Sequence, residues 1–355
     1  LLQGCLSAPQ ELRAAPEVEG RFYEDLSTSS VQARIESNLG AEMGKQEIPA
    51  LGVAILGEQE QIEIAFGTKG PRREELITVD AQFRIGSVTK IYTAVLILSL
   101  VEEKRLRLDQ RVSGWFPEPP EAEQITIRHL LQHRSGVEEY TSSLFSALGT
   151  MLRPNRIWER EQLLRRILRG SPEFEPGAEY GYSNSNYVLL GLIAERVTGE
   201  SFPALLNRYV AEPLGLSETY LAPMTGSDHD SVLAGYDYDI LPLGNHRIEP
   251  ENRAWPSWGF TAGGVVSTPE EMARFLSALF EGRLLNRSSV EQMTDYLEAR
   301  GKQLPEMIGY GLGLRVLELQ GELLYGHTGT IPGFGALLFY WPAESITVAM
   351  AANRS

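Results

Sequence analysis

Cysteine is almost absent from this 355-residue chain: Cys5 is the only one. A single thiol excludes internal disulfides and any thiolate-cluster metal site. Basic residues are outnumbered, 32 Lys and Arg against 47 Asp and Glu, for a formal net charge of −15. Neutralising a phosphate backbone needs clustered cations, so the balance argues against nucleic acid as a partner. No apolar run approaches the ~20 residues that span a bilayer as a helix, and no internal repeat recurs. What remains is ordinary for a globular enzyme: 43% of residues are hydrophobic and 22% charged. The length suits about two average domains, or one domain carrying a large insertion.

The two ends carry their own signals. Leu1-Leu2-Gln3-Gly4-Cys5 resembles a bacterial lipobox, in which the cysteine is lipidated and becomes the mature N-terminus. That resemblance implies a lipid anchor through Cys5 and an extracytoplasmic, membrane-anchored or periplasmic protein. The alternative is a free cysteine in a frayed terminus. Residues 6–25 are rich in Ala, Pro and Glu and suit a tether, so 1–25 is read as lipobox remnant and tether. At the other end, Ala336–Tyr340 and Ile346–Ala351 flank the turn Trp341-Pro342-Ala343-Glu344-Ser345 and predict a hairpin. Strands apolar on both faces need cover on both. No later residues supply it, and the C-terminus is read as truncated.

Between the ends, Leu51–Leu56 and Gln61–Phe66 predict a first hairpin. Ile91, Val95, Leu98 and Val101 mark a helix over Ser87–Lys104. Thr126 is a helix N-cap, Gly199 ends a helix over Asn186–Val197, and Thr268-Pro269-Glu270-Glu271 reads as a capping box. Residues 221–258 lack periodicity and read as long surface loops. Strands return near Leu312–Val316 and Leu323–His327. Strands at both ends with helices between predict an α+β fold, an antiparallel sheet flanked by helices. The sheet domain is expected over 26–100 and 259–355, and an inserted, mainly helical domain over 101–258.

Ser87-Val88-Thr89-Lys90 places a Ser-x-x-Lys at the start of the first long helix. Residues three apart share a helix face, about 5–6 Å between Cβ atoms, so the Lys90 amine can reach the Ser87 hydroxyl. A serine hydroxyl is a weak nucleophile without such a base. The spacing alone is also that of a serine N-cap followed by a solvated lysine. Two further segments add weight. Tyr182-Ser183-Asn184 precedes a helix, and Gly326-His327-Thr328-Gly329-Thr330 closes a strand. Tyr182 can shuttle protons with Lys90, because two groups of ordinary pKa ~10 must shift each other to work near neutrality. Asn184 can bond Lys90 and a substrate amide. His327 and Gly329 share a strand face, where glycine would let a substrate backbone approach. The backbone N–H groups of Ser87 and Thr330 would form an oxyanion hole. In Gly311-Leu312-Gly313-Leu314-Arg315, alternation puts Arg315 opposite the leucines, where it can grip a carboxylate with two bonds.

With Ser-Val-Thr-Lys, Tyr-Ser-Asn and His-Thr-Gly in that order, the chain resembles the penicillin-recognising serine hydrolases. Among them it looks most like the D-alanyl-D-alanine carboxypeptidase/transpeptidase group related to class C β-lactamases. The resemblance implies that Ser87 is acylated, that Lys90 and Tyr182 move protons, and that Asn184 binds the substrate amide. His327 stands where most β-lactamases have lysine. Arg315, with Thr328 and Thr330, would receive the substrate's terminal carboxylate, and Phe145 and Trp258 would wall the pocket. No cofactor and no metal is implied. The expected partner is a peptidoglycan stem peptide or a related D-amino-acid peptide or ester, with β-lactams as inhibitors. An esterase, a β-lactamase or a D-aminopeptidase on the same site is the alternative, and a silent penicillin-binding sensor is a remoter one. His129 and His133 have a spacing that could hold zinc, but no third ligand is evident, and packing behind the site is the expectation. Glu102-Glu103 and Glu138-Glu139 are read as solvated surface. For Tyr236 and Tyr238, a loop over the pocket and plain surface are both open.

Overall fold

The computed structural model describes residues 28–58, 61–70, 75–118, 121–142, 150–222, 232–237, 246–300 and 304–355. Cys5, Phe145 and Tyr238 lie outside these residues. The first hairpin forms as expected from strands β1 (Ala50–Leu56) and β2 (Gln61–Gly67). Short strands follow: β3 (Phe83–Arg84), β4 (Tyr220–Leu221), β5 (Gly235–Asp237), β6 (His246–Ile248) and β7 (Val265–Ser267). The last third supplies β8 (Leu297–Glu298), β9 (Met307–Tyr310), β10 (Arg315–Leu319), β11 (Glu322–Ile331), β12 (Phe334–Trp341) and β13 (Ile346–Ala352).

Among the described residues one sheet runs β2-β1-β13-β12-β11-β10-β9-β8, antiparallel throughout. The chain's two ends therefore pair directly, with Leu51 opposite Ala352. Buried Asn353 fastens the join: its Oδ1 accepts from Ala50 N–H at 2.8 Å, and its Nδ2 donates to Ala234 O at 3.0 Å. The fold is α+β, β-lactamase/transpeptidase-like.

Helix α1 (Thr28–Gln46) had no counterpart in the sequence reading. It sets Ile35, Leu39 and Met43 against Leu51, Val53, Ile62, Ile64 and Met350, covering one face of the β1–β2 end of the sheet. Some of the cover that the terminal hairpin calls for thus comes from the start of the chain. Helix α2 (Thr89–Glu102) packs against β11 and is buried from Thr89 through Leu100. A helix walled in on all sides needs no polar stripe, and α2 carries none over those residues.

Two caps form as read. Thr126 caps α3 (Ile127–Leu131) in a box closed by His129, and Gly199 ends α5 (Asn184–Thr198) in the left-handed region at φ 77°. Between them lies α4 (Arg160–Ile167). The reading of 221–258 as surface loops is corrected. Helix α6 (Ala254–Gly263) begins inside that stretch, with Trp255 and Trp258 buried, and β5 is buried as well. Full burial on every side erases the periodicity that identifies a helix. Thr268 caps α7 (Pro269–Phe280), but Glu271 does not close the box. Its carboxylate instead accepts from Glu218 N–H and the Thr219 hydroxyl. Among the described residues no helix is long and apolar enough to cross a membrane.

Candidate active site

Ser87 sits in a single 3-10 turn, Gly86–Val88, that leads from β3 into α2. Lys90 lies one helical turn on and is fully buried. Its ammonium has three protons to donate and three acceptors within reach: Ser87 Oγ at 3.0 Å, Asn184 Oδ1 at 2.7 Å and Ala262 O at 2.8 Å. The Ala262 carbonyl is presented by a kink in α6, where Phe260 takes φ 41°. Such a conformation is costly for a bulky side chain and persists where the surroundings enforce it. Burial lowers the Lys90 pKa below its usual value, and Arg315 adds to the effect; Tyr182 and Glu139 oppose it.

Tyr182 turns its ring to the lysine, with Nζ 4.9 Å from the ring centroid. Its hydroxyl is buried and has no hydrogen-bond partner among the described residues. Asn184 is the first residue of α5, and its backbone N–H donates to the Glu139 carboxylate. Glu139 also accepts from Thr141 N–H at 2.8 Å, and Glu138 accepts from Ser171 N–H at 2.7 Å. The reading of this acidic pair as solvated surface is therefore corrected. Adjacent acids look alike in sequence whether they face water or backbone amides.

β11 runs against the Ser87 turn. A Cβ on Gly329 would stand 2.0 Å from Ile85 O, and one on Gly86 would stand 2.8 Å from Thr330 N. Glycine at 329 thus admits the nucleophile's own turn, a correction to the expectation that it makes room for substrate. The backbones of the Ser87 turn and of Thr330 thus lie against one another. Arg315 begins β10 opposite Gly326 and donates from Nη1 to Thr328 Oγ1 at 2.8 Å, while its Nε is unpaired. The strand expected from Leu312 begins only at Arg315. Gly313, at φ 86°, turns the backbone there because a side chain would strike Ala94.

His327 is buried and belongs to a hydrogen-bond chain that sequence reasoning did not find. His133 Nδ1 accepts from Ser183 N–H at 3.1 Å, so its proton sits on Nε2, 3.2 Å from Tyr310 Oη. His327 Nδ1 faces the Thr328 carbonyl, which only accepts, so its Nε2 is bare and takes the Tyr310 hydroxyl proton at 3.1 Å. The chain reads His133 to Tyr310 to His327, one direction throughout. Burial first, then Lys90 and Arg315, hold both imidazoles well below the ordinary histidine pKa. His129 has separate work in the α3 cap, which accounts for the four-residue spacing.

A model of the Beta-lactamase family matches residues 35–355. The chain belongs to that family. Penicillin-binding protein 4* of Bacillus subtilis is 26% identical over 303 residues, covering 82% of this chain and 64% of that protein. Protein flp of Staphylococcus aureus is 25% identical, covering 92% and 64%. The chain thus spans 64% of the length of these curated relatives. Among solved structures, D-amino acid amidase from Ochrobactrum anthropi superposes with a TM-score of 0.81 at 25% identity, covering 92% of both chains. A D-stereospecific amidohydrolase from Streptomyces sp. gives 0.79 at 27%, covering 93% of this chain and 95% of its own.

In this Beta-lactamase family member, Ser87 opens onto a cavity of about 340 Å3. Asn184, Thr330, Tyr140, Trp255 and Trp258 line it with Ser87. Trp258, expected as a pocket wall, lines this cavity. Trp255 and Tyr140 were missed. Tyr236 is buried in β5, its hydroxyl against Gly70, and does not line this cavity.

Proposed function

We propose that the chain is an acyl-enzyme hydrolase of peptides ending in D-Ala-D-Ala or of closely related small D-amino-acid peptides. Ser87 Oγ attacks the penultimate carbonyl while neutral Lys90 takes its proton. Tyr182 passes its proton to the departing amine and is reprotonated from Lys90, which returns that lysine to the free amine, and D-alanine leaves. Water then cleaves the ester, or an amine takes the acyl group. The Ser87 and Thr330 N–H groups hold the oxyanion. Asn184, its Oδ1 held by Lys90, offers Nδ2 to the substrate amide. Arg315, with Thr328 and Thr330, takes the leaving carboxylate in a charge-assisted pair. His327, neutral and fixed by Tyr310, stands behind these groups. β-Lactams acylate Ser87 because they present the same carbonyl and carboxylate. An extracytoplasmic location, with lipidation at Cys5, belongs to the same proposal.

The supporting observation is the 3.0 Å contact between Lys90 Nζ and Ser87 Oγ, in a burial that lowers the lysine pKa from its ordinary value. The test is labelling by a fluorescent penicillin, followed by D-alanine release from a D-Ala-D-Ala tripeptide. Both should occur and both should vanish in Ser87→Ala. Labelling without release would indicate a silent binder, and fast penicillin hydrolysis a β-lactamase.

One feature favours a second reading. The acyl cavity is walled by Tyr140, Met151, Trp255 and Trp258, far more apolar surface than an alanine methyl fills. This suits hydrolysis of amides of bulky apolar D-amino acids, consistent with the amidase among its structural relatives, one of whose structures is a complex with D-phenylalanine. Comparing kcat/KM for D-phenylalanine amide with that for the tripeptide decides between them.

A further inference from the structure

Tyr140 has a second face. Behind it lies another cavity, of about 440 Å3, walled by Arg156, Arg165, Arg166 and Arg169 with Glu138 and Glu139. Residues 153–169 hold six arginines and two glutamates in a chain of formal charge −15, so the local balance is opposite to the global one. Both wall glutamates are already committed to backbone N–H groups, Glu138 at Ser171 and Glu139 at Asn184 and Thr141. Neither forms an ion pair with the wall arginines among the described residues. Arg156 stacks on Trp158, its guanidinium carbon 3.5 Å from the ring centroid. Arg166 donates to Tyr140 O at 3.3 Å and lies over Trp258. The Arg165 and Arg169 guanidinium groups make no hydrogen bond or ion pair among the described residues.

Arg165 lies in the last turn of α4 and Arg169 two residues beyond its end, and both line the groove. The helix C-terminus accounts for part of this charge through its dipole, equivalent to about half a negative charge. It does not account for four guanidinium groups on one wall. Crowding is evident at Arg156, whose pKa is lowered by burial and then by Arg153 and Arg166.

We propose that this groove binds an anionic group, carboxylate or phosphate, carried on the acyl side of the substrate. The side follows from position. Tyr140 lines both cavities, whereas Arg315, Thr328 and Thr330, assigned to the leaving group, do not line the groove. Arginine suits the task because its planar fork meets carboxylate and phosphate oxygens in pairs. The proposal rests on the acyl-enzyme reading of the Ser87 site.

The test compares D-amino-acid esters identical except for a neutral, a carboxylate-ended or a phosphate-ended acyl extension. At low salt, the anionic esters should show a kcat/KM about five- to twentyfold higher, from a roughly two- to fivefold effect per exposed arginine. The preference should shrink in high salt. In Arg165→Ala/Arg169→Ala it should disappear, with the neutral ester unchanged and circular dichroism confirming the fold. Which anionic ester gains more identifies the group. No preference in the wild type, or one that survives the double substitution, overturns the groove. Calorimetric binding of the same extensions, as non-reactive amides, to Ser87→Ala reads the groove without turnover. If the neutral ester is also inert, the acyl-enzyme reading fails, while equal calorimetric affinity for neutral and anionic ligands still refutes the groove by itself.

Discussion

Replacing Tyr310 with phenylalanine removes one oxygen and strands two buried imidazoles. The ring is fully buried, and phenylalanine keeps its edge contacts with His133 and His327 at centroid distances of 4.8 and 5.8 Å. Packing is therefore preserved and the loss is polar. His133 Nε2–H loses its acceptor and His327 Nε2 its donor. A buried group left unpaired costs about 1–3 kcal/mol, so two of them should destabilise the protein by about 2–4 kcal/mol, part of the cost being relieved by relaxation. In urea this appears as a lower midpoint with an unchanged slope. A second readout separates positioning from bulk stability. In 15N spectra of the wild type, His133 should carry its proton on Nε2 and His327 on Nδ1. In Tyr310→Phe the His327 Nε2 resonance should shift, and kcat should fall more than KM rises, because His327 is no longer fixed beside Thr328. A variant that unfolds with the wild type and leaves both histidine spectra unchanged would refute the hydrogen-bond chain.

Other outcomes follow from the same geometry. kcat/KM should rise with pH as Lys90 loses its proton, with a midpoint below the ordinary lysine value of 10.5; a midpoint at or above it would remove Lys90 as the base. Glu139→Gln removes an anion that raises the Lys90 pKa, so that midpoint should move lower still, and an upward shift would contradict this electrostatic influence. Arg315→Ala should weaken substrates with a terminal carboxylate by roughly tenfold or more, given about 1.5–3 kcal/mol for a charged hydrogen bond, while neutral esters stay near wild type; equal losses on both would exclude the carboxylate role. Stability should fall on acidification below about pH 6.5. His133 and His327 have folded pKa values well below the unfolded one, so the unfolded chain binds more protons there. Each contributes a loss of about 1.4 kcal/mol one pH unit below, and flat urea midpoints between pH 7 and 5.5 would refute the neutral, buried state.

What the sequence determined by itself was chiefly local. Ser87 and Lys90 are three residues apart on one helix, so their meeting needs only helical geometry. Thr126, Gly199 and Thr268 fix helix ends through their own chemistry, and the apolar runs set off by turns at the two ends specified strands whose pairing follows once a sheet forms. Tertiary structure decided whatever depends on which neighbour arrives from elsewhere. Trp255 and Trp258 looked like loop residues because a helix surrounded by protein carries no polar stripe. Glu139 looked solvated because its partners, the amides of Asn184 and Thr141, are not visible in its own spelling. The direction of the His133–Tyr310–His327 chain required three segments up to 194 residues apart to meet in a dry interior, where each partner fixes the proton of the next. Periodicity records what a residue turns toward the core or the solvent, but a hydrogen bond between distant segments leaves no period to read.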